Sequence, residues 1–149
     1  MGMVSPINAM TRGRDTSFTG AAPGRPKLLV VDDSSAVRDA IKLALNYGGY
    51  AACNAVCGDD ARTLVDVEHP ALLITDLNMP SGDGWDLIAF CHANHPQLPI
   101  LIVSGDPRGT RPEIERHAQG FLPKPFGFRE LLAEVARLLP ANAELAPAR

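Results

Sequence analysis

The sequence predicts an α/β domain in which a central parallel sheet is covered on both faces. Three observations carry that prediction. Short continuous apolar runs recur along the chain, as in Leu28-Leu29-Val30-Val31 and Ile100-Leu101-Ile102-Val103. Runs without polar alternation mark strands buried on both faces. Between them lie segments with apolar residues at helical spacing, and alternating strand and helix signals read as an α/β layer architecture. The strand-like runs also end on polar residues, Asp32-Asp33, Asp76 and Ser104.

The folded part opens at Lys27. The first strand, through Val31, ends on Asp32-Asp33. Ser34 or Ser35 can cap the next helix. Its inner face reads Val37, Ile41, Ala44 and Leu45, and Gly48-Gly49 stops it. Tyr50 to Val56 reads as a weak second strand, and Asp59 to Val67 as a short helix carrying Leu64 and Val67. The third strand, Ala71 to Thr75, ends on Asp76. Pro80 to Gly84 is a loop with Gly82 and Gly84 as breakers. Trp85 to Asn94 is a helix with Leu87, Ile88 and Cys91 inward; the fourth strand, Ile100 to Val103, ends on Ser104-Gly105. Thr110 to Gln119 is a thin helix whose apolar face is Ile114 and Ala118, with a capping-box spacing from Thr110 to Glu113. Phe121-Leu122 is a short fifth strand. Phe128, Leu131, Leu132, Val135, Leu138 and Leu139 form the cleanest helical stripe. Five strands alternating with five helices, joined by right-handed crossovers, lead to a flavodoxin-like (βα)5 sheet of order 2-1-3-4-5.

Composition limits the function. The 149 residues allow one domain, expected over 27–139, with flexible tails over 1–26 and 140–149. The first tail, Gly- and Pro-rich with Asp15 as its one acid, lacks the amphipathic helix of a transit peptide and the apolar centre of a secretory signal. It could equally be an extension from an upstream start. A net charge of −3 gives no basic field for nucleic acid. No apolar run reaches the ~18 residues of a membrane span. Three cysteines, Cys53, Cys57 and Cys91, form no CxxC pair and read as reduced thiols of a cytoplasmic protein. The four histidines, His69, His92, His95 and His117, have no metal-ligand spacing and read as surface residues.

In open parallel sheets the site lies beyond the carboxyl ends of the strands. That rule gathers Asp32, Asp33, Asp76, Ser104 and Lys124 at one edge. Any one of these alone is more readily a turn residue or a helix cap. Together they bring three carboxylates, a hydroxyl and an ammonium group to one place. Oxygen-only ligands suit a hard divalent cation such as Mg2+, or Mn2+ in its stead; without one, clustered carboxylates repel.

The strings Val30-Val31-Asp32-Asp33-Ser34, Asp76-Leu77-Asn78-Met79-Pro80 with Asp83-Gly84, Ser104-Gly105, and Gly120-Phe121-Leu122-Pro123-Lys124-Pro125-Phe126 resemble the receiver domain of two-component response regulators. The resemblance runs from Lys27 to about Leu139. It implies that Asp76 is the phosphoacceptor and that Asp33, Asp76 and the Asn78 carbonyl ligate the cation, with Asp32 acting through water. It also implies that Lys124 neutralises charge on the transferring phosphoryl group, and that Ser104 bonds the phosphate once it is in place. The family's bond matching Lys124–Pro125 is cis, which turns the lysine into the site. Asn78 and Asp106 occupy positions that tune hydrolysis, and an amide with a nearby acid resembles the chemotaxis regulators. Phe121 stands where the family carries an aromatic switch. A signal would then pass from Asp76 through Ser104 and Phe121 to the weakly docked Thr110 helix.

The expected role is a phosphorelay switch, not a turnover enzyme. It would be loaded by a histidine kinase or a histidine phosphotransfer protein and read by a downstream protein. It would act as a monomer, or as a phosphorylation-dependent dimer through the Thr110 helix, strand five and the last helix. The chain could stand alone or belong to a longer regulator or hybrid kinase. A haloacid-dehalogenase-like phosphatase would need a second Asp two residues after the nucleophile, where Asn78 stands. A flavin site would need a phosphate-cradling loop where Asp32 and Asp33 stand.

Overall fold

A computed structural model describes residues 24–77, 79, 84–105 and 118–139. Its elements are β1 (Lys27–Val31), α1 (Ser35–Tyr47), β2 (Ala51–Ala55), α2 (Gly58–Glu68), β3 (Leu72–Thr75), α3 (Gly84–Asn94), β4 (Ile100–Ser104), β5 (Gly120–Pro123) and α4 (Phe128–Leu138). The five strands form one sheet of order β2-β1-β3-β4-β5, parallel at every pairing, as the sequence predicts. The tails 1–23 and 140–149, and residues 110–117 of the thin helix, lie outside the described residues.

Successive strand residues point to opposite faces, so an unalternating apolar strand feeds two cores. Leu29, Val31, Leu73, Ile100 and Ile102 pack with Val65 of α2 and Leu87, Ile88 and Cys91 of α3. Leu28, Val30, Leu72, Ile74, Leu101 and Val103 pack with Ile41 and Leu45 of α1 and Leu131 and Val135 of α4. Each fully buried Val, Leu or Ile stabilises the fold by about 1.5–3 kcal/mol in transfer free energy. That makes the central strands β1, β3 and β4 the rigid platform of the molecule.

The register sets the site. Val31 lies opposite both Ala55 and Thr75, and Thr75 lies opposite Ile102. Strands β1 and β3 therefore finish level, so Asp32 and Asp76 emerge side by side. The Asp76 N–H donates to the Val31 carbonyl at 3.0 Å. Ser34 is the cap of α1: its hydroxyl accepts the Val37 N–H at 3.3 Å. Gly49, at φ 96°, supplies the left-handed residue that turns the chain after this helix.

Strand β2, predicted over Tyr50 to Val56, is present and buried along its length. Two packing expectations are corrected. On α2 the inner residues are Ala61 and Val65, with Leu64 partly buried, whereas Val67 is 65% exposed. Two residues of helix turn the side chain by about 200°, so a helix seated on Val65 must point Val67 outward. Phe128, at the head of the last stripe, is also exposed and meets Tyr47 edge-on at 5.3 Å.

Candidate functional site

Asp32 is wholly buried, and its acceptors are filled from three directions. Oδ1 takes the Ser34 N–H at 2.9 Å, the main-chain carbonyl takes Arg38 Nη1 at 2.7 Å, and Oδ2 takes Lys124 Nζ at 2.8 Å. Asp76 is nearly as buried. Its Oδ1 accepts the Leu77 N–H at 2.7 Å and its Oδ2 accepts Lys124 Nζ at 3.0 Å. One ammonium group thus bridges the ends of β1 and β3. Asp33 is exposed, and a carboxylate oxygen of each of the three aspartates lies within 4.8 Å of the others.

Lys124 reaches the site from the end of β5. Its N–H donates to the Ser104 carbonyl at 3.0 Å, and the Lys124–Pro125 bond is cis. Burial alone would lower its pKa, but hydrogen bonds and charge from Asp32 and Asp76 outweigh burial and raise it above the ordinary 10.5. Lys124 is therefore firmly charged. Three carboxylates against one ammonium group leave the cluster net acidic, with Asp33 facing water. That all-oxygen donor set fits a hard, partly hydrated divalent cation.

Ser104 is buried at the end of β4, beside Pro123 of β5. Phe121 is half-buried against the α2–α3 core. The structure thus brings Asp32, Asp33, Asp76 and Lys124 into one cluster, with Ser104 tied to Lys124 through its carbonyl. Asn78 and Asp106, like Asp83, lie outside the described residues.

Several supporting residues escape a reading of strand ends. Arg38 holds the Asp32 carbonyl, the Thr75 hydroxyl donates to the Asp76 carbonyl at 2.8 Å, and the Gly84 N–H donates to Leu77 O at 2.7 Å. The only signal for Arg38 was a charge four residues past the helix cap. Among the histidines, His95 pairs with Asp66 at 2.7 Å and its ring stands 6.4 Å from that of His69. Cys53, Cys57 and Cys91 are in no disulfide, and Cys53 and Cys91 are buried.

This arrangement on a five-stranded 2-1-3-4-5 sheet defines a class, the phosphorylatable signalling domain with an acidic pocket and a bridging lysine. The chain matches the response regulator receiver domain over residues 28–136, and it belongs to that family. It is similar to the response regulator MprA of Mycolicibacterium vanbaalenii, 34% identical over 115 residues covering 76% of this chain and 50% of that protein. The match to MprA of Mycobacterium tuberculosis H37Rv has the same identity and coverage. The chain spans about half the length of these curated relatives. Among solved structures, the chemotaxis response regulator CheY4 of Vibrio cholerae superposes with TM-score 0.70 at 28% identity, covering 77% of this chain and 99% of that one. NtrX of Brucella abortus gives TM-score 0.72 at 28% identity, covering 82% of this chain and 28% of that one. The chain is thus a phosphoacceptor switch of two-component signalling. No helix among the described residues is long and apolar enough to cross a membrane.

Proposed function

We propose that Asp76 is the residue that takes the phosphoryl group, from a histidine kinase or a histidine phosphotransfer protein in the cytoplasm. The observation that carries this reading is the Lys124 ammonium bridging Asp32 and Asp76 at 2.8 and 3.0 Å. A carboxylate oxygen of Asp76 attacks phosphorus; the N–P bond of the donor phosphohistidine breaks as the O–P bond forms, and the electron pair returns to the imidazole. Lys124 follows the growing negative charge on the phosphoryl oxygens, and Asp32 keeps that ammonium in place. Asp33, Asp76 and the Asn78 carbonyl would hold Mg2+, with Asp32 acting through water. When bound, Mg2+ supplies further charge neutralisation. Ser104 donates to the phosphate once it is present.

The protein does not turn over a substrate; it self-dephosphorylates slowly, at a rate tuned by Asn78 and Asp106. Output is by contact with a downstream protein, or by a phosphorylation-dependent dimer, through the 110–119 segment, β5 and α4. The test is phosphate incorporation from a small acyl phosphate, with and without Mg2+, for wild type, Asp76→Asn and Asp33→Asn. Wild type labels only with Mg2+, Asp76→Asn does not label, and Asp33→Asn loses most labelling. Full labelling of Asp76→Asn sinks the assignment.

A further inference from the structure

The edge of the sheet opposite the acidic pocket carries a second cluster of nitrogen and oxygen donors. Helices α2 and α3 pack together on one face of the sheet and end side by side. His69 is the residue that closes α2, and His95 follows directly on α3. No spacing in the sequence joins them; the packing of two helix ends does. Their rings stand 6.4 Å apart, inclined at 63°. Both line a cavity of about 350 Å3 whose apolar walls include Val65, Pro70, Leu98 and Pro99. Pro70 precedes β3 and Pro99 precedes β4, so the length of a strand, about 13 Å for the four residues of β3, parts this cavity from Asp76.

His95 is already held as a metal ligand would be. Its Nε2 lies 2.7 Å from Asp66 Oδ1, and Phe90 packs against the ring at 6.0 Å. An ionised carboxylate can only accept, so Nε2 carries the proton and Nδ1 keeps the lone pair of the neutral ring. Metal-bound histidines use this arrangement: the carboxylate fixes the tautomer and makes the ring a better donor. His69 is fixed by different means. It sits at φ 50° and ψ 62°, where a residue with a Cβ is strained, and its N–H closes α2 on the Val65 carbonyl at 3.1 Å. Helices usually end on Gly or Asn in this conformation. A histidine there brings an imidazole to the cavity instead.

Charge decides what the cavity would take. Both helices present their C-terminal ends, which carry partial negative charge. Asp66 and Glu68 add to it in the last turn of α2, where a cation is preferred. Lys27 answers Glu68 at 3.2 Å. Among the described residues, no Lys or Arg lines the cavity. An anion is therefore repelled and a cation drawn in. Imidazole nitrogens select a transition ion over Mg2+ or Ca2+, which take oxygen ligands.

We propose that His69 and His95 bind Zn2+ or a similar divalent transition ion, with Asp66 orienting His95 and water completing the coordination. At Zn–N distances of about 2.0–2.1 Å, two imidazoles on a tetrahedral ion have centroids about 5 Å apart, so the rings close by about 1 Å on binding. His69 is exposed and can rotate to do so. The ion then clasps the ends of α2 and α3 and stabilises the fold from the edge that the phosphoryl chemistry does not use.

The test is titration of the full chain with Zn2+ in millimolar Mg2+, which occupies the acidic pocket. It is read by calorimetry and by the imidazole nitrogen resonances of the wild type. The resonances of His69 and His95 move, those of His92 do not, and His95 Nε2 keeps its proton. His69→Asn, which tolerates the left-handed backbone, and His95→Gln each weaken binding at least about tenfold, and Asp66→Asn about tenfold through His95. Melting of the wild type rises by about 3 °C at about ten times the Zn2+ dissociation constant, and by less in His69→Asn. These readouts do not depend on which residue accepts phosphate. Zn2+ that leaves the His69 and His95 resonances in place overturns the proposal. So does undiminished binding in either histidine variant, which assigns the ion to the acidic pocket or to a thiol. Undiminished binding in Asp66→Asn removes Asp66 from the site.

Discussion

At the scale of single residues, Lys124 balances the site. Its ammonium group hydrogen-bonds both Asp32 and Asp76, and its backbone is tied to Ser104. Removing the ammonium leaves two buried carboxylates facing each other, a strain that a bound cation can relieve. Lys124→Ala should therefore still accept phosphate in Mg2+. Its gain in partner binding on phosphorylation should shrink at least about fivefold, the lower end of ordinary site-to-site coupling. Unaltered partner binding by the phosphorylated variant would contradict this. Cys91 makes a different prediction. Burial, and then the nearby charge of Asp66, push its thiol from 9.0 up to about 11. Between those values the unfolded chain releases a proton that the folded chain keeps, so stability falls as pH rises through this window. The loss amounts to about 2 kcal/mol by the upper end. Lys124, also raised, adds to the loss in the same direction: its contribution is full below 10.5 and disappears as pH rises through its folded value. Melting curves from pH 8 to 11 should show the decline, and Cys91→Ala should flatten it. An equally steep decline in that variant would refute the Cys91 share.

At the scale of elements, the start of α3 lies tight against the end of β3. A Cβ placed on Gly84 would come within 2.1 Å of the Asp76 carbonyl oxygen and 2.8 Å of Leu77 Cα. Both neighbours are backbone, so neither can swing away. The helix therefore presses its first residue directly onto the Asp76–Leu77 peptide, while the Thr75 hydroxyl holds the Asp76 carbonyl. Gly84→Ala should cost at least about 2–3 kcal/mol as an overpacked site, and should weaken Mg2+ binding because Asp76 and its following loop must shift. Gly49→Ala is the control: its Cβ meets nothing within 4 Å, but φ is 96°, so it should lose about 1 kcal/mol through backbone strain and leave Mg2+ affinity unchanged. Chemical denaturation and Mg2+ titration of both variants measure this. Equal Mg2+ affinity in the two would show that the joint does not position the site.

At the scale of the whole molecule, a phosphate on Asp76, the proposed acceptor, would have to be sensed some distance away. The proposed route begins at Ser104, buried beside Pro123, and reaches Phe121, half-buried in β5. A half-buried aromatic ring has room to move either way, which a fully packed one lacks. On this proposal phosphate would bias such a side chain between two states rather than create a new one. With beryllofluoride as phosphoryl mimic, amide exchange should change at the Asp76 and Ser104 strand ends and extend through 110–121. Changes confined to the loops around Asp76 would end this route.

The sequence by itself determined the sheet, its order and the membership of the acidic pocket. An unalternating strand must be buried on both faces, and a parallel sheet gathers its strand ends at one edge; both follow from local chemistry. Asp32, Asp33, Asp76, Ser104 and Lys124 were legible for that reason, and so was the chain's family. What only the tertiary structure decided depends on rotation and closeness between elements. Val67 faces solvent because α2 is seated on Val65, and Phe128 leaves the core to meet Tyr47. Gly84 is required by contact with backbone seven and eight residues earlier, although in sequence it reads simply as a breaker. Arg38 and Thr75 support the site through main-chain carbonyls, which carry no side-chain signature. Leu43 and Tyr47 of α1 are apolar too, and only the packed fold shows that Ile41, Ala44 and Leu45 meet the sheet while these two stay exposed.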